Sequence, residues 1–332
     1  MERQHYLDVA KGLLILLVVM HHLPMVANQV IGIESPVLSL LNKSRVLYTP
    51  FFMASFFVIT GMCTDFDKSI QKYLNSNFKS IMIPAFCLGF INEWLQLIRI
   101  GCMDPIQYAK LGFHTFLTDG GPFWFLAALF VAKFFYRIIY CVNNKYICML
   151  LSLSMMVIGV IANNLSLKEY WQVYHAFALL PFLGIGKFLK GITLSKKSIL
   201  VCWVGYFIAL LTCKLYSINI PSVTQVINLT VIEIPLFLFM ATTGTIVIIS
   251  FSKFINTNRI IEYYGINSII VYGLHLSVLA ILTELFRNMS AYDNTLLSLM
   301  AVLFSYLLSL LVLSLFIKVL NKPFLKVLIG KF

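Results

Sequence analysis

About ten apolar stretches, each near the length that crosses the hydrocarbon of a bilayer, follow one another along this chain. Their approximate limits are 9–31, 46–63, 80–98, 122–141, 147–162, 175–191, 198–216, 227–251, 260–286 and 295–320, the fifth being short. A chain built this way must close its backbone hydrogen bonds inside helices, because lipid offers none. Composition agrees: 60% of residues are hydrophobic, 11% are charged and the mean hydropathy is +0.89, whereas a soluble chain is nearer half apolar and a quarter charged. The expected fold is all-α: a polytopic integral membrane helical bundle of about ten transmembrane helices, forming one domain over residues 1–332. The first apolar run is not read as a cleaved signal peptide. It outlasts an h-region, carries internal histidines and lacks a small-x-small cleavage site.

Charge sets the expected orientation. With the N-terminus in the cytoplasm, 18 of the 25 Lys and Arg fall on the inner side, among them Lys11, Lys68, Lys72, Lys79, Lys133 and Lys197. Lys43, Arg45, Arg99, Lys110, Lys168, Lys214 and Arg287 fall outside, together with a loop containing Cys102 and His114. Both termini are therefore expected in the cytoplasm of a multi-pass protein of the inner (cytoplasmic) membrane. The net charge of +12 reads as this topology signal plus attraction to anionic lipid. Nucleic acid is not an expected partner, since no soluble module presents a basic surface. The seven cysteines form no CxxC pair and read as small hydrophobes rather than as a disulfide framework or metal site.

The stretch YLDVAKGLLILLVVMHHLP, residues 6–24, breaks the apolar rule. Lys11 and His22 are close to three helical turns apart and share a stripe with Asp8, Ile15 and Val18, with a rise of roughly 16 Å between cation and imidazole. His21 lies about 100° round the helix. Pro24 deprives the Met20 carbonyl of its helical partner, so a bend or hydration is expected at the histidines. By the same depth count His22, Glu93, Glu233 and His275 enter one layer of the outer half of the membrane from four different spans. Ionisable groups there are costly unless they face one another or water. Two readings stay open. Lys11 can snorkel to the surface, Glu93 and Glu233 can form a structural polar network, and His275 can bond a neighbouring helix. Alternatively the layer is a reaction site.

The ordered text around this stretch resembles the membrane acyltransferase 3 family. The first-span signature of that family is a basic residue, ten residues, then His, here Lys11 through His22, preceded by Asp8. FFMASFFVITG at 51–61, IP at 83–84, PFWFLAALF at 122–130, LLPFLGIGKFLKG at 179–191 and INSIIVYGLH at 266–275 follow in the family's order. Phe52 stands where many members have His, Ala54 where they have Pro, and Ser80 at a place often basic.

The resemblance implies an O-acyltransferase that moves an acyl group, by default acetyl, from acetyl-CoA or another acyl-CoA to a sugar hydroxyl of an extracytoplasmic or lipid-linked surface polysaccharide. His22 would be the general base, with Glu93 or Glu233 as its acidic partner. Lys11, Lys72 and Lys79 would hold the nucleotide phosphates. Trp124 and His275 would face the acceptor, although Trp124 at the end of its span also reads as an interfacial belt residue. The rival class is a transporter or flippase for a small or lipid-linked substrate. It suits the span count and the midplane polar groups, but no pair of broken helices recurs in two halves. A non-catalytic scaffold would have no use for a cation and an imidazole on one stripe.

Overall fold

The structure, a computed structural model, describes residues 4–30, 35–101, 123–255, 258–288 and 294–331, with Asp104, Ile106, Lys110 and His114 between. Cys102 lies outside the described residues. The helices are α1 (His5–Met25), α2 (Pro36–Ser44), α3 (Phe52–Cys63), α4 (Ile70–Asn77), α5 (Ile83–Ile100), α6 (Trp124–Tyr140) and α7 (Lys145–Asn164). They continue as α8 (Val173–Leu189), α9 (Lys196–Leu215), α10 (Ile234–Ile255), α11 (Arg259–Ile266), α12 (Ser268–Asn288) and α13 (Thr295–Leu320). A short hairpin, β1 (Ser222–Val223) with β2 (Ile227–Asn228), is antiparallel. Side-chain caps start several helices, where the first N–H groups have no intrahelical acceptor. Asn144 accepts from Tyr146 and Ile147, Asn258 from Ile260 and Ile261, and Asn294 from Leu296.

Each expected stretch holds a helix. By length and apolarity, 7 described helices can cross a membrane, or 8 if α2 and α3, bent by 45°, make one broken span. The shortfall from ten lies in three helices: α3, with 12 residues unless α2 extends it, α6 and α8. α6 and α8 have only 17 residues each, and α6 also carries Lys133 and Arg137. The fifth stretch is longer than expected, at 20 residues, because the Asn144 cap starts α7 at Lys145. The ninth is divided at Asn267, whose Nδ2 donates to the Tyr263 carbonyl while its Oδ1 accepts from Asn321 and Lys331.

Two spans form the centre. Of the most apolar window, 61% is buried in α1 and 67% in α12, against at most 44% in the other five described spans. α1 packs against α3, α10, α11 and α12. Against α11 the approach is backbone to backbone: a Cβ at Gly12 would strike the Ile261 carbonyl, and one at Gly265 the Asp8 carbonyl. Small residues permit such close packing where no hydrophobic effect draws helices together. Polar pairs add to it. Ser55 and Thr245 hydroxyls join α3 to α10 at 2.8 Å. Ser277 donates to Asn92 Oδ1 at 2.6 Å, and Arg99 pairs with Glu284 at 3.0 Å, joining α5 to α12.

This packing predicts that Gly265→Val removes most of the folded protein, because backbone, not a movable side chain, fills the space. The check is the monodisperse fraction after detergent extraction. Gly101→Ala at the end of α5, where the added Cβ meets open space and only the left-handed backbone (φ 62°) resists it, should cost far less of that fraction.

Candidate functional site

α1 passes through Pro24 and widens into a π-helical turn at Val26–Val30. Proline withdraws one backbone donor, and π turns accompany functional sites often enough to merit inspection. Just before it stand His21 and His22. His22 Nδ1 lies 2.9 Å from the Val18 carbonyl oxygen and 3.1 Å from Nε2 of His275 on α12. His275 Nδ1 lies 2.8 Å from the Tyr272 carbonyl and 3.2 Å from that of Val271.

These partners assign the protons. A carbonyl only accepts, so His275 carries its proton on Nδ1 and offers the Nε2 lone pair. His22 likewise carries its proton on Nδ1, donating to the Val18 carbonyl and to His275. The lone pair of His22 is therefore on Nε2, and none of the described protein groups engages it. The geometry is a neutral base with its tautomer fixed by backbone and a second imidazole. The rings meet edge to face, with centroids 4.8 Å apart. His21 forms the other wall: its ring lies 5.1 Å from those of His22 and Phe52, and the Arg45 guanidinium rests against it.

A cavity of about 490 Å³ opens at the other end of α1, lined by Lys11, Thr60, Cys63, Lys68, Tyr73, Ser80 and Lys133 among others. It shares Lys11, Thr60, Ser80 and Lys133 with a slot of about 210 Å³ whose walls are largely apolar, including Ile15, Met53, Phe56, Phe125, Leu129 and Tyr272. Tyr272 reaches the His275 ring, with centroids 5.9 Å apart. Along α1 the order is then Lys11 at the basic cavity, Ile15 in the slot, the two histidines, and Pro24 and Met25 in a further cavity of about 590 Å³.

Lys11 is ion-paired with Asp8 at 2.6 Å. Lys133 is only 8% exposed; its ammonium lies 5.8 Å from the Tyr73 ring centre and, among the described residues, has no carboxylate within ion-pair distance. A buried cation without a counter-charge is costly, and this one borders both inner spaces. Sequence reasoning counted Lys133 and Lys68 only towards topology. The signal for Lys133 was its place in the apolar text WFLAALFVAK. Lys72 and Lys79, the expected companions of Lys11, are exposed and do not line the cavity.

The expected acidic partners of His22 stand elsewhere. Glu93 on α5 has Asn92 as its hydrogen-bond neighbour and touches neither imidazole. Glu233 precedes α10 in a capping box, its carboxylate accepting from the Thr230 N–H at 2.8 Å and hydroxyl at 2.9 Å. It therefore sits at the start of its helix, bonded to Thr230, and touches neither imidazole. Trp124 is 6% exposed, packed on Phe125 and on the His175 ring at 5.4 Å, so its face is covered rather than open to a sugar. Of the expected layer, His275 is the residue that meets His22.

The chain as a whole has a counterpart among known families. A family model, described as an acyltransferase domain, matches residues 4–318. The chain belongs to the acyltransferase 3 family. It is a multi-pass membrane acyltransferase. No curated protein and no solved structure matches it.

Beside Trp124, Glu169 anchors the start of α8. Its carboxylate accepts from the Tyr174 and His175 N–H groups at 2.7 and 3.2 Å and from His175 Nδ1 at 3.1 Å. Burial raises its pKa, but the His175 contacts and these N–H bonds outweigh burial and hold it below the usual carboxylate range. A depressed carboxylate stabilises the fold above its unfolded pKa, and that contribution is lost as pH falls through the folded value. Glu169→Gln should therefore lower the melting temperature in detergent at neutral pH. The gap from wild type should close as pH falls through the carboxylate range, and an unchanging gap would refute the assignment.

Proposed function

We propose that this acyltransferase moves an acyl group, by default acetyl, from cytoplasmic acyl-CoA to a hydroxyl of an extracytoplasmic or lipid-linked surface polysaccharide, with His22 as general base. The observation that carries the reading is the order of features along one helix: cation, apolar slot, imidazole with a free Nε2 lone pair, second cavity. From Lys11 to His22 the helix rises roughly 16 Å. The pantetheine arm of coenzyme A has the length of about four peptide units, roughly 14 Å when extended. Phosphates held at the neck by Lys11 and Lys133, with Lys68 further out, would thus bring a thioester up the slot to His22.

The reaction then runs by direct transfer. His22 Nε2 takes the proton of the acceptor hydroxyl while its oxygen attacks the thioester carbonyl carbon. The tetrahedral intermediate collapses, the carbon–sulfur bond breaks, and the departing thiolate takes the proton back from His22. Products are the acyl ester and free coenzyme A. While His22 is doubly protonated, its Nδ1–H donates to the Val18 carbonyl and to His275 Nε2. The neutral imidazole of His275 takes the orienting place that a carboxylate holds in a triad. The basic cavity and slot fit a donor with a phosphorylated head and a thin arm; the cell membrane that holds the inner pool of acyl-CoA is the compartment this reading requires.

The broad test is mass spectrometry of surface glycans from cells with and without the protein. A protein-dependent gain of acyl groups supports the reading, and identical spectra sink it.

In purified protein verified as folded, His22→Ala should bind acetyl-CoA but lose on the order of 100- to 10,000-fold in transfer. His275→Gln, whose amide oxygen can still accept from His22 Nδ1, should retain more activity than His275→Leu. Equal losses in the two would remove His275 from the positioning role.

For the donor end, Lys133→Ala and Lys11→Ala should each raise the Michaelis constant for acetyl-CoA, while Lys72→Ala should leave it near wild type. Removing one buried phosphate–ammonium hydrogen bond should raise it about tenfold. Dependence on Lys72 instead of Lys133 would move the nucleotide out of this cavity.

A further inference from the structure

The cavity at the His22 end differs from the inner one in its chemistry. It holds about 590 Å³ and is lined by Asn28, Ser35, Ser39, Asn42 and Arg45, and by Pro24 of α1. That size is ordinary for a small-ligand site. No acidic side chain lines it among the described residues. Hydroxyls and amides of this kind bind sugar hydroxyls, but Arg45 asks for more.

Arg45 is half-buried and its side chain has three hydrogen-bonding contacts. Nη1 donates to Asn42 Oδ1 at 2.7 Å, Nε lies 3.1 Å from His21 Nδ1, and Nη2 lies 2.5 Å from His21 Nε2. A neutral imidazole has one lone pair, so His21 accepts from only one of those two nitrogens. A guanidinium has five N–H donors, and the others here have no protein acceptor among the described residues. Nor does Arg45 form an ion pair with any of them. A forked cation held at the nitrogen edge of an imidazole, with spare donors on a polar cavity, matches a carboxylate or phosphate in shape and charge.

We propose that this cavity binds an acceptor bearing an anionic group, carboxylate or phosphate, near the hydroxyl to be acylated, and that Arg45 reads that group. The proposal rests on His22 being the base, since it makes this cavity the acceptor side. It also gives His21 a place: the ring carries the guanidinium on one side and meets His22 at 5.1 Å on the other. The anion would then seat the acceptor one imidazole away from the base. A neutral sugar would leave the cation without a partner and would be discriminated against.

The test measures occupancy directly. In a chain freed of its native cysteines and carrying Ser39→Cys, held in nanodiscs of phosphatidylcholine, the labelling rate of the single thiol by a charge-neutral maleimide is followed. Sodium glucuronate and glucose 1-phosphate should slow labelling several-fold more than glucose at equal concentration and ionic strength. Protection by one anion alone identifies the carboxylate or the phosphate as the group read. Arg45→Gln should abolish the preference and Arg45→Lys should keep part of it, which guards against a Gln variant that merely misfolds. Equal protection by glucose and the anions, no protection by any of the three, or a preference surviving in Arg45→Gln would overturn the proposal. A parallel chain retaining only Cys63, which lines the inner cavity, reports on the donor. If acetyl-CoA fails to protect Cys63 while glucuronate still protects position 39, the donor reading falls and the anion site stands.

Discussion

Inside an apolar bundle, a side chain that can hydrogen-bond has few places to do so, and the positions of both central imidazoles follow from that scarcity. His22 turns back to the carbonyl one helical turn below it, and His275 does the same on α12. Each ring spends its Nδ1 proton on its own helix. What remains is one lone pair pointing from α12 to α1 and one with no partner among the described protein groups. The close seating of α1 on its neighbours makes this possible, because Gly12 and Gly265 bring backbone against backbone and hold α1 fixed in the centre. A base that is also a packing element has little freedom to drift out of alignment.

Charge is distributed by the same scarcity. The cations that lie deep along α1 each border a cavity: Lys11 and Lys133 on one side, Arg45 on the other. Lys11 is partly neutralised by Asp8, whereas Lys133 and Arg45 have no such partner among the described residues. A protein that needed these charges only for orientation could have kept them at the surface, as it does Lys72. On the proposed mechanism these two cations mark where anions enter, one at each end of the line of features along α1.

Much of this was legible in the sequence, and the failures have identifiable causes. Each apolar run became a helix, and the Lys11–His22 stripe survived because helical periodicity leaves no alternative for residues within one uninterrupted helix. Depth counting across different helices was weaker, since it needs true helix starts. Glu233 shows why: the run 227–251 opens with β2 and a cap, and the text TVIE at 230–233 is itself a capping-box signature that fixes the glutamate at a helix start. That signature alone is enough to show that Glu233 spends its carboxylate on the start of its own helix. Lys133 and Arg45 were counted as topology signals because a residue's burial depends on neighbours distant in sequence. The His22–His275 contact spans more than 250 positions and no local pattern announces it.

The helix α1 acts as a ruler, and this bears on how such a protein can change over time. Side chains at its marks are exchangeable within limits of chemistry, since a cation of another shape still holds a phosphate. The number of residues between the marks is not. One inserted residue would swing Lys11 about 100° away from His22, and a whole inserted turn would lengthen the span by about 5.4 Å, beyond the fixed reach of the proposed donor. Divergence should therefore spare the length of α1 while it remodels α2 and the cavity wall it supplies. On the proposed mechanism, new acceptors can be acquired at the rim without disturbing the measure that places the thioester.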